Sequence, residues 1–164
     1  MPSDAFNSHD HPVCIRDGLK AAERHCAEAG LQFTSIRRRV LEILLSDHKP
    51  LGAYDILDRL RDDGLNAQPP MAYRALDFLV SHGFAHRIER LNAFIACTHK
   101  PNVAGGEPHT PAFLICRSCQ RVVETDAPAR AGELGRAARQ AGFVIERTIR
   151  EAEGLCPICA RANA

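Results

Sequence analysis

Two Cys-x-x-Cys pairs, Cys116-Arg-Ser-Cys119 and Cys156-Pro-Ile-Cys159, constrain this chain more than any other feature. A two-residue gap lets both thiolates of a pair reach one ion, and zinc takes four ligands in a tetrahedron. Cys119 and Cys156 are 37 residues apart, and the two pairs together fill that shell. The expected site is a closed, structural zinc centre with four cysteine ligands. Its binding free energy acts as folding free energy, roughly 10 kcal/mol or more in zinc-finger peptides. A lone pair would be weaker, because thioredoxin-type redox motifs share the spacing. Two redox dithiols, or buried unliganded cysteines, are the rival readings. Knuckles of this kind often carry Gly after the second Cys, whereas Gln120 and Ala160 stand there.

Composition explains why a staple is useful. The chain has 164 residues and is 45% hydrophobic, but it holds two Tyr, seven Phe and no Trp. A core so short of large aromatics gains from an added constraint. No apolar run is long enough to span a bilayer, and the N-terminus does not read as a signal peptide, so a cytoplasmic protein with no membrane partner is expected. In that compartment seven cysteines read as metal ligands or redox groups rather than disulfides. Cys14 and Cys26, without partners at ligand spacing, read as inert packing residues. The net charge of +1 points to no partner. Residues 1–100 carry 13 basic and 13 acidic side chains and the remainder 8 and 7, so a case for nucleic acid must rest on motif geometry.

Along the chain, residues 1–12 read as a disordered N-terminus and 13–97 as one unit. Ile15, Leu19, Ala22, Cys26 and Ala29 form a helical stripe ended by Gly30. Thr34 or Ser35 can cap a second helix with Ile36, Val40, Ile43 and Leu44 inside. Ala53, Ile56, Leu57 and Leu60 mark a third helix, closed near Gly64. Pro69-Pro70 opens a fourth, running to about His82 and stopping at Gly83. Short helices with tight breaks are the layout of a helix-turn-helix. Ala85–Glu89 and Ala93–Cys97 then read as a β-hairpin that would make the unit winged. Residues 98–111, with Gly105-Gly106 and three prolines, read as a linker. In 112–164, strands are expected at Ala112–Cys116, Arg121–Thr125 and Phe143–Arg150, and a helix at Pro128–Ala141. The class is α+β: a winged helix-turn-helix followed by a small α/β unit built around the four-cysteine zinc site.

A second, mixed ligand set is His86, Cys97, His109 and Glu124. His86 and Cys97 can face one another across the hairpin, His109 ends the linker, and Glu124 follows the first cysteine pair. One nitrogen, sulfur, nitrogen and oxygen set can close a tetrahedron from both units. Spacing alone does not single it out, because a lone histidine is usually a polar surface or core residue, and His82 and His99 compete.

The ordered motifs resemble the ferric uptake regulator superfamily, and within it the zinc uptake regulator branch. They are Phe33-Thr34-x-x-Arg37-x-x-Val40-Leu41, Ala53-Tyr54-Asp55-Ile56-Leu57, Pro69-Pro70-x-x-Tyr73-Arg74-Ala75-Leu76-Asp77-Phe78-Leu79, Gly83-Phe84-x-His86 and the two cysteine pairs. The resemblance runs from about Leu31 to Cys159. It implies a dimeric repressor with a winged-helix domain, a hinge and an α/β dimerisation domain, about two zinc ions per chain, and double-stranded operator DNA as partner. It places the structural zinc on Cys116, Cys119, Cys156 and Cys159, and the regulatory zinc on His86, Cys97, His109 and Glu124, with His99 the first substitute. A thiolate in the sensor suits zinc better than iron or manganese. A relative sensing another metal or peroxide is the alternative, and no enzymatic activity is expected.

On the fourth helix, Ala72, Ala75, Leu76 and Leu79 form an inner face, with Arg74, Asp77 and Ser81 opposite and Tyr73 at the edge. Taken alone, Tyr73 reads as a packing residue and Arg74 as a partner of Asp77. The family context favours Tyr73 and Arg74 as base readers in the major groove. Tyr54 and Arg37 are then expected on the DNA backbone. Met71-Ala72 replaces the Thr-Val that relatives often show. Asp58 and Arg61 read either as an intrahelical pair or as partners exchanged between neighbouring dimers on DNA.

Overall fold

The computed structural model describes residues 11–47, 49–97, 111–126 and 132–162. Four helices come first: α1 (His11–Glu28), α2 (Ser35–Leu45), α3 (Ala53–Asp62) and α4 (Pro69–Ser81). They share one core, in which Val40, Leu44, Ile56, Leu57, Leu60, Leu76 and Leu79 are fully buried. Their ends follow local chemistry. The Thr34 hydroxyl accepts from the Arg37 N–H and caps α2. Pro69 and Pro70 occupy the first turn of α4, where a missing N–H costs nothing. Gly30 and Gly83 adopt φ of +64° and +73°, the left-handed turn that ends α1 and α4. Ala29, expected on the inner stripe of α1, lies beyond the helix and is exposed, because the helix closes one residue earlier.

The hairpin β1 (Ala85–Ile88) and β2 (Ala93–Ala96) is antiparallel, with His86 opposite Ile95 and Ile88 opposite Ala93. Leu51 extends it by exchanging two backbone hydrogen bonds with Phe94, at 2.9 and 2.8 Å. One face, carrying Ala85, Phe94 and Ala96, belongs to the helical core. The other carries His86, Ile88 and Ile95. Ile88 and Ile95 pack with Phe113, Ile115 and Val122 of the second unit. Both faces are therefore covered, which is why all four residues of β2 are buried.

The second unit is a three-stranded sheet of order β4-β3-β5, from β3 (Pro111–Cys116), β4 (Val122–Asp126) and β5 (Glu151–Gly154). β3 runs antiparallel to β4 and parallel to β5, with α5 (Glu133–Gln140) in the crossover. Pro111 opens β3 instead of closing the linker, because it pairs with Asp126. The strand expected at Phe143–Arg150 is not formed. The third strand is Glu151–Gly154, and among the described residues 143–150 joins no strand ladder beyond the Arg150 carbonyl, which accepts from the Phe113 N–H at 2.9 Å. Phe143 and Val144 are 67% and 80% exposed, so their alternation meets no partner among the described residues. A short α6 (Pro157–Ala162), not expected from the sequence, follows Cys156. Among the described residues no helix is long and apolar enough to cross a membrane.

Candidate functional site

The four expected cysteines meet at one end of the three-stranded sheet. Cys116 ends β3 beside Gly154 of β5, and the Cys116 N–H bonds the Arg121 carbonyl to close the first knuckle. Cys156 and Cys159 flank the start of α6. The four Sγ atoms lie within 4.8 Å of one another, and Cys119 Sγ is 3.9 Å from Cys156 Sγ. Tetrahedral zinc with bonds of about 2.3 Å has S···S edges of about 3.8 Å. The set fits that ion.

Its electrostatics point the same way. Burial pushes the Cys116 thiol up, but backbone N–H groups of Cys119, Cys156 and Ser118 outweigh it and bring the thiol down to about 6. Cys159 has the Ser118 hydroxyl to favour its thiolate. Cys156, burial, Cys119 and Cys116 oppose this and raise it to about 11. Four thiols so close cannot all ionise without a cation among them. Gln120 also accounts for the missing knuckle glycine. It takes the left-handed conformation, φ 59°, that glycine would adopt freely.

The mixed set forms where the hairpin faces the second sheet. His86 Nε2 lies 2.9 Å from Glu124 Oε1, and Cys97 Sγ lies 3.7 Å from the same oxygen. Glu124 is 1% exposed at its side chain, and the His86 ring packs against Phe113, tilted by 56° with ring centres 5.3 Å apart. Zinc bonds of about 2.0 Å to nitrogen and oxygen and 2.3 Å to sulfur imply edges of about 3.3 and 3.5 Å. The two Glu124 distances lie within a few tenths of an ångström of those edges, and all three ligand atoms lie within 4.8 Å of one another. His109 and His99 lie outside the described residues. His82 turns elsewhere: its Nδ1 is 2.8 Å from the Phe78 carbonyl.

On α4, Ala72, Ala75, Leu76 and Leu79 are buried, while Arg74, Asp77 and Ser81 face solvent. Tyr73 is 45% exposed and Tyr54 64%, unlike packing tyrosines. Arg37 is partly engaged within the chain. Its guanidinium stacks 3.7 Å from the Phe78 ring centre and bonds the Gln32 carbonyl. Asp58 and Arg61 form an intrahelical pair at 3.6 Å on the exposed face of α3. Cys26 is buried in the helical core, where desolvation raises its thiol further. Sequence reading missed a group of charges at the hairpin turn, Glu89, Arg90, Arg147, Glu151 and Glu153. Ion pairs between residues about sixty positions apart leave no periodic trace. The one visible signal was Glu151-Ala-Glu153, two acids on one face of a short strand.

A zinc uptake regulation protein of Escherichia coli (strain K12) is 35% identical over 146 residues, covering 89% of this chain and 83% of that protein. The chain belongs to the zinc uptake regulators. No protein-family model matches the chain. A solved zinc uptake regulator complexed with zinc and DNA is 34% identical with a TM-score of 0.81, over 91% of this chain and 97% of the other. The holo form of XcZur, 41% identical, matches at 0.76 over 88% of this chain and 98% of its own. Its apo form, with the same identity, matches at 0.50 over 90% and 98%. The overall likeness is therefore greater to the holo form than to the apo form.

Proposed function

We propose that the chain is a zinc-responsive transcriptional repressor that binds double-stranded operator DNA as a homodimer when zinc-loaded, controlling zinc uptake genes. The observation that carries this is the mixed cluster, whose ligands come from the hairpin behind the recognition helix and from the second sheet. An ion there fixes the relation of the two units. Two half-sites are read together only when the recognition helices match the DNA repeat, so a metal that fixes this relation controls binding. By linkage, DNA must in turn tighten zinc. The likeness to a relative solved with zinc and DNA supports the same reading.

In this reading residues 13–97 are the winged-helix domain, 98–110 the hinge and, with Pro111 in β3, 111–164 the dimerisation domain. Cys116, Cys119, Cys156 and Cys159 hold a structural zinc. His86, Cys97, Glu124 and His109 hold the regulatory one, whose thiolate favours zinc over iron or manganese. Four protein ligands leave no open position for water, which speaks against an enzyme. Tyr73 and Arg74 read bases, and Tyr54 and Arg37 touch phosphates. The exposed Phe143, Val144 and Ile149 and the unladdered 143–150 segment suit pairing with a second copy. Asp58 and Arg61, both on the surface, can exchange partners between neighbouring dimers. A cytoplasmic location follows from the DNA partner.

The test is metal analysis of the purified protein with zinc-titrated binding to duplexes selected from a random pool. Two zinc ions per chain, with duplex binding dependent on the weaker, are expected. Selective binding that ignores zinc would refute the reading.

A further inference from the structure

The hairpin is gripped a second time, away from the ligand set. Glu151, the first residue of β5, accepts from two successive backbone N–H groups at the hairpin turn. Glu89 N–H donates to Oε1 at 2.7 Å and Arg90 N–H to Oε2 at 3.0 Å. Arg90 Nε donates to Glu153 at 2.5 Å, and Arg147 donates to Glu89 at 2.9 Å. Backbone bonds to a carboxylate are about twice as strong as neutral ones. The Glu89 contact is also partly buried, whereas the exposed ion pairs around it add little.

Sheet register shows what this grip is linked to. Phe113 in the central strand is paired with Glu124 on one side and Glu151 on the other. Paired residues share a face, so Glu124, Phe113 and Glu151 form one row across the sheet, its ends about 10 Å apart. One terminal glutamate meets His86 and Cys97. The other holds the turn of the same hairpin.

We propose that Glu151 is a positioning residue of the switch: a metal-independent latch that seats the hairpin on the second sheet and so sets the zinc affinity of the mixed site. The proposal rests on the reading of that set as the regulatory site. Ligands drawn from two units bind an ion only in the conformations that bring them together. If that arrangement is a fraction f of the population, the apparent Kd rises by 1/f. The latch raises f before any ion arrives. A residue that merely stabilises the fold would instead affect both zinc ions and melting together.

The experiment compares full-length wild type with Glu151→Ala, Glu151→Gln and Arg90→Ala. Zinc affinity is measured by chelator competition, and amide hydrogen exchange at Glu89 and Arg90 is followed in the zinc-loaded proteins. Glu151→Ala should weaken the mixed site about tenfold and speed both amides, with the four-cysteine zinc retained. Glu151→Gln should do less, since its amide oxygen still accepts one bond, and Arg90→Ala least. Unchanged zinc affinity in Glu151→Ala would overturn the proposal. So would joint loss of both zinc ions with unfolding, which would make Glu151 a fold residue. Unprotected Glu89 and Arg90 amides in the wild type would overturn the latch alone. A wild type that takes up only the four-cysteine zinc would overturn the reading of the mixed set and the positioning role with it.

Discussion

The four-cysteine cluster and the mixed cluster both offer zinc a compact set of side chains, yet their ligands come from different distances in the fold. The four cysteines sit at one end of one sheet, Cys116 at the end of β3, Cys119 in the turn after it, and two just beyond β5, its parallel neighbour. Forming that site requires only that the second unit fold. The mixed cluster takes His86 and Cys97 from the hairpin of the first unit and Glu124 from β4 of the second. Forming it requires the two units to meet. An ion in the first cluster is spent on folding. In the proposed reading, an ion in the second selects between arrangements of folded parts and so reports metal concentration. Ligand number and type reinforce the difference, since four thiolates hold zinc more firmly than one thiolate with nitrogen and oxygen.

The largest effect should follow from Cys119→Ser or Cys156→Ser. Each should cost the second unit most of its metal-derived stability, on the order of 10 kcal/mol at full loss. Circular dichroism and sedimentation would show unfolding of that unit and loss of the dimer. A folded dimer without this zinc would erase the distinction between the clusters. Cys97→Ser should leave melting nearly unchanged but abolish the zinc-dependent gain in duplex affinity, a coupling of about 5- to 150-fold. Duplex titration with and without zinc measures it. Arg74→Ala should reduce specific affinity by about 1–3 kcal/mol and relax base preference at one position. Its zinc stoichiometry should match wild type, separating reading from sensing. Gln120→Gly should be the smallest change, a gain of about 0.5–1 kcal/mol from relief of left-handed strain. Thermal melting checks it, and a loss would mean that the Gln120 side chain supports the knuckle.

The same contrast governs how much was legible in the sequence. The four helices and the hairpin followed from local signals: the Thr34 cap, Pro69-Pro70, Gly83, and inner faces such as Ile56, Leu57 and Leu60. The four-cysteine site was legible because its spacing is its mechanism. The mixed set was not, since His86, Cys97 and Glu124 meet only through packing between units, and it was picked out by resemblance. The strand expected at 143–150 failed for a related reason. Alternating apolar residues announce a strand, but a strand also needs a neighbour, and in the single chain β5 takes the place beside β3. The Glu151 latch was invisible because it grips backbone N–H groups, which carry no sequence signal.

Stepwise withdrawal of zinc by a graded chelator, with duplex binding and circular dichroism read on the same samples, tests the division between staple and switch most directly. The first zinc to leave should take specific duplex binding with it while the circular dichroism stays unchanged, and the second should leave only with unfolding. Duplex binding that survives loss of the first zinc, or both ions leaving together as the protein unfolds, would contradict it.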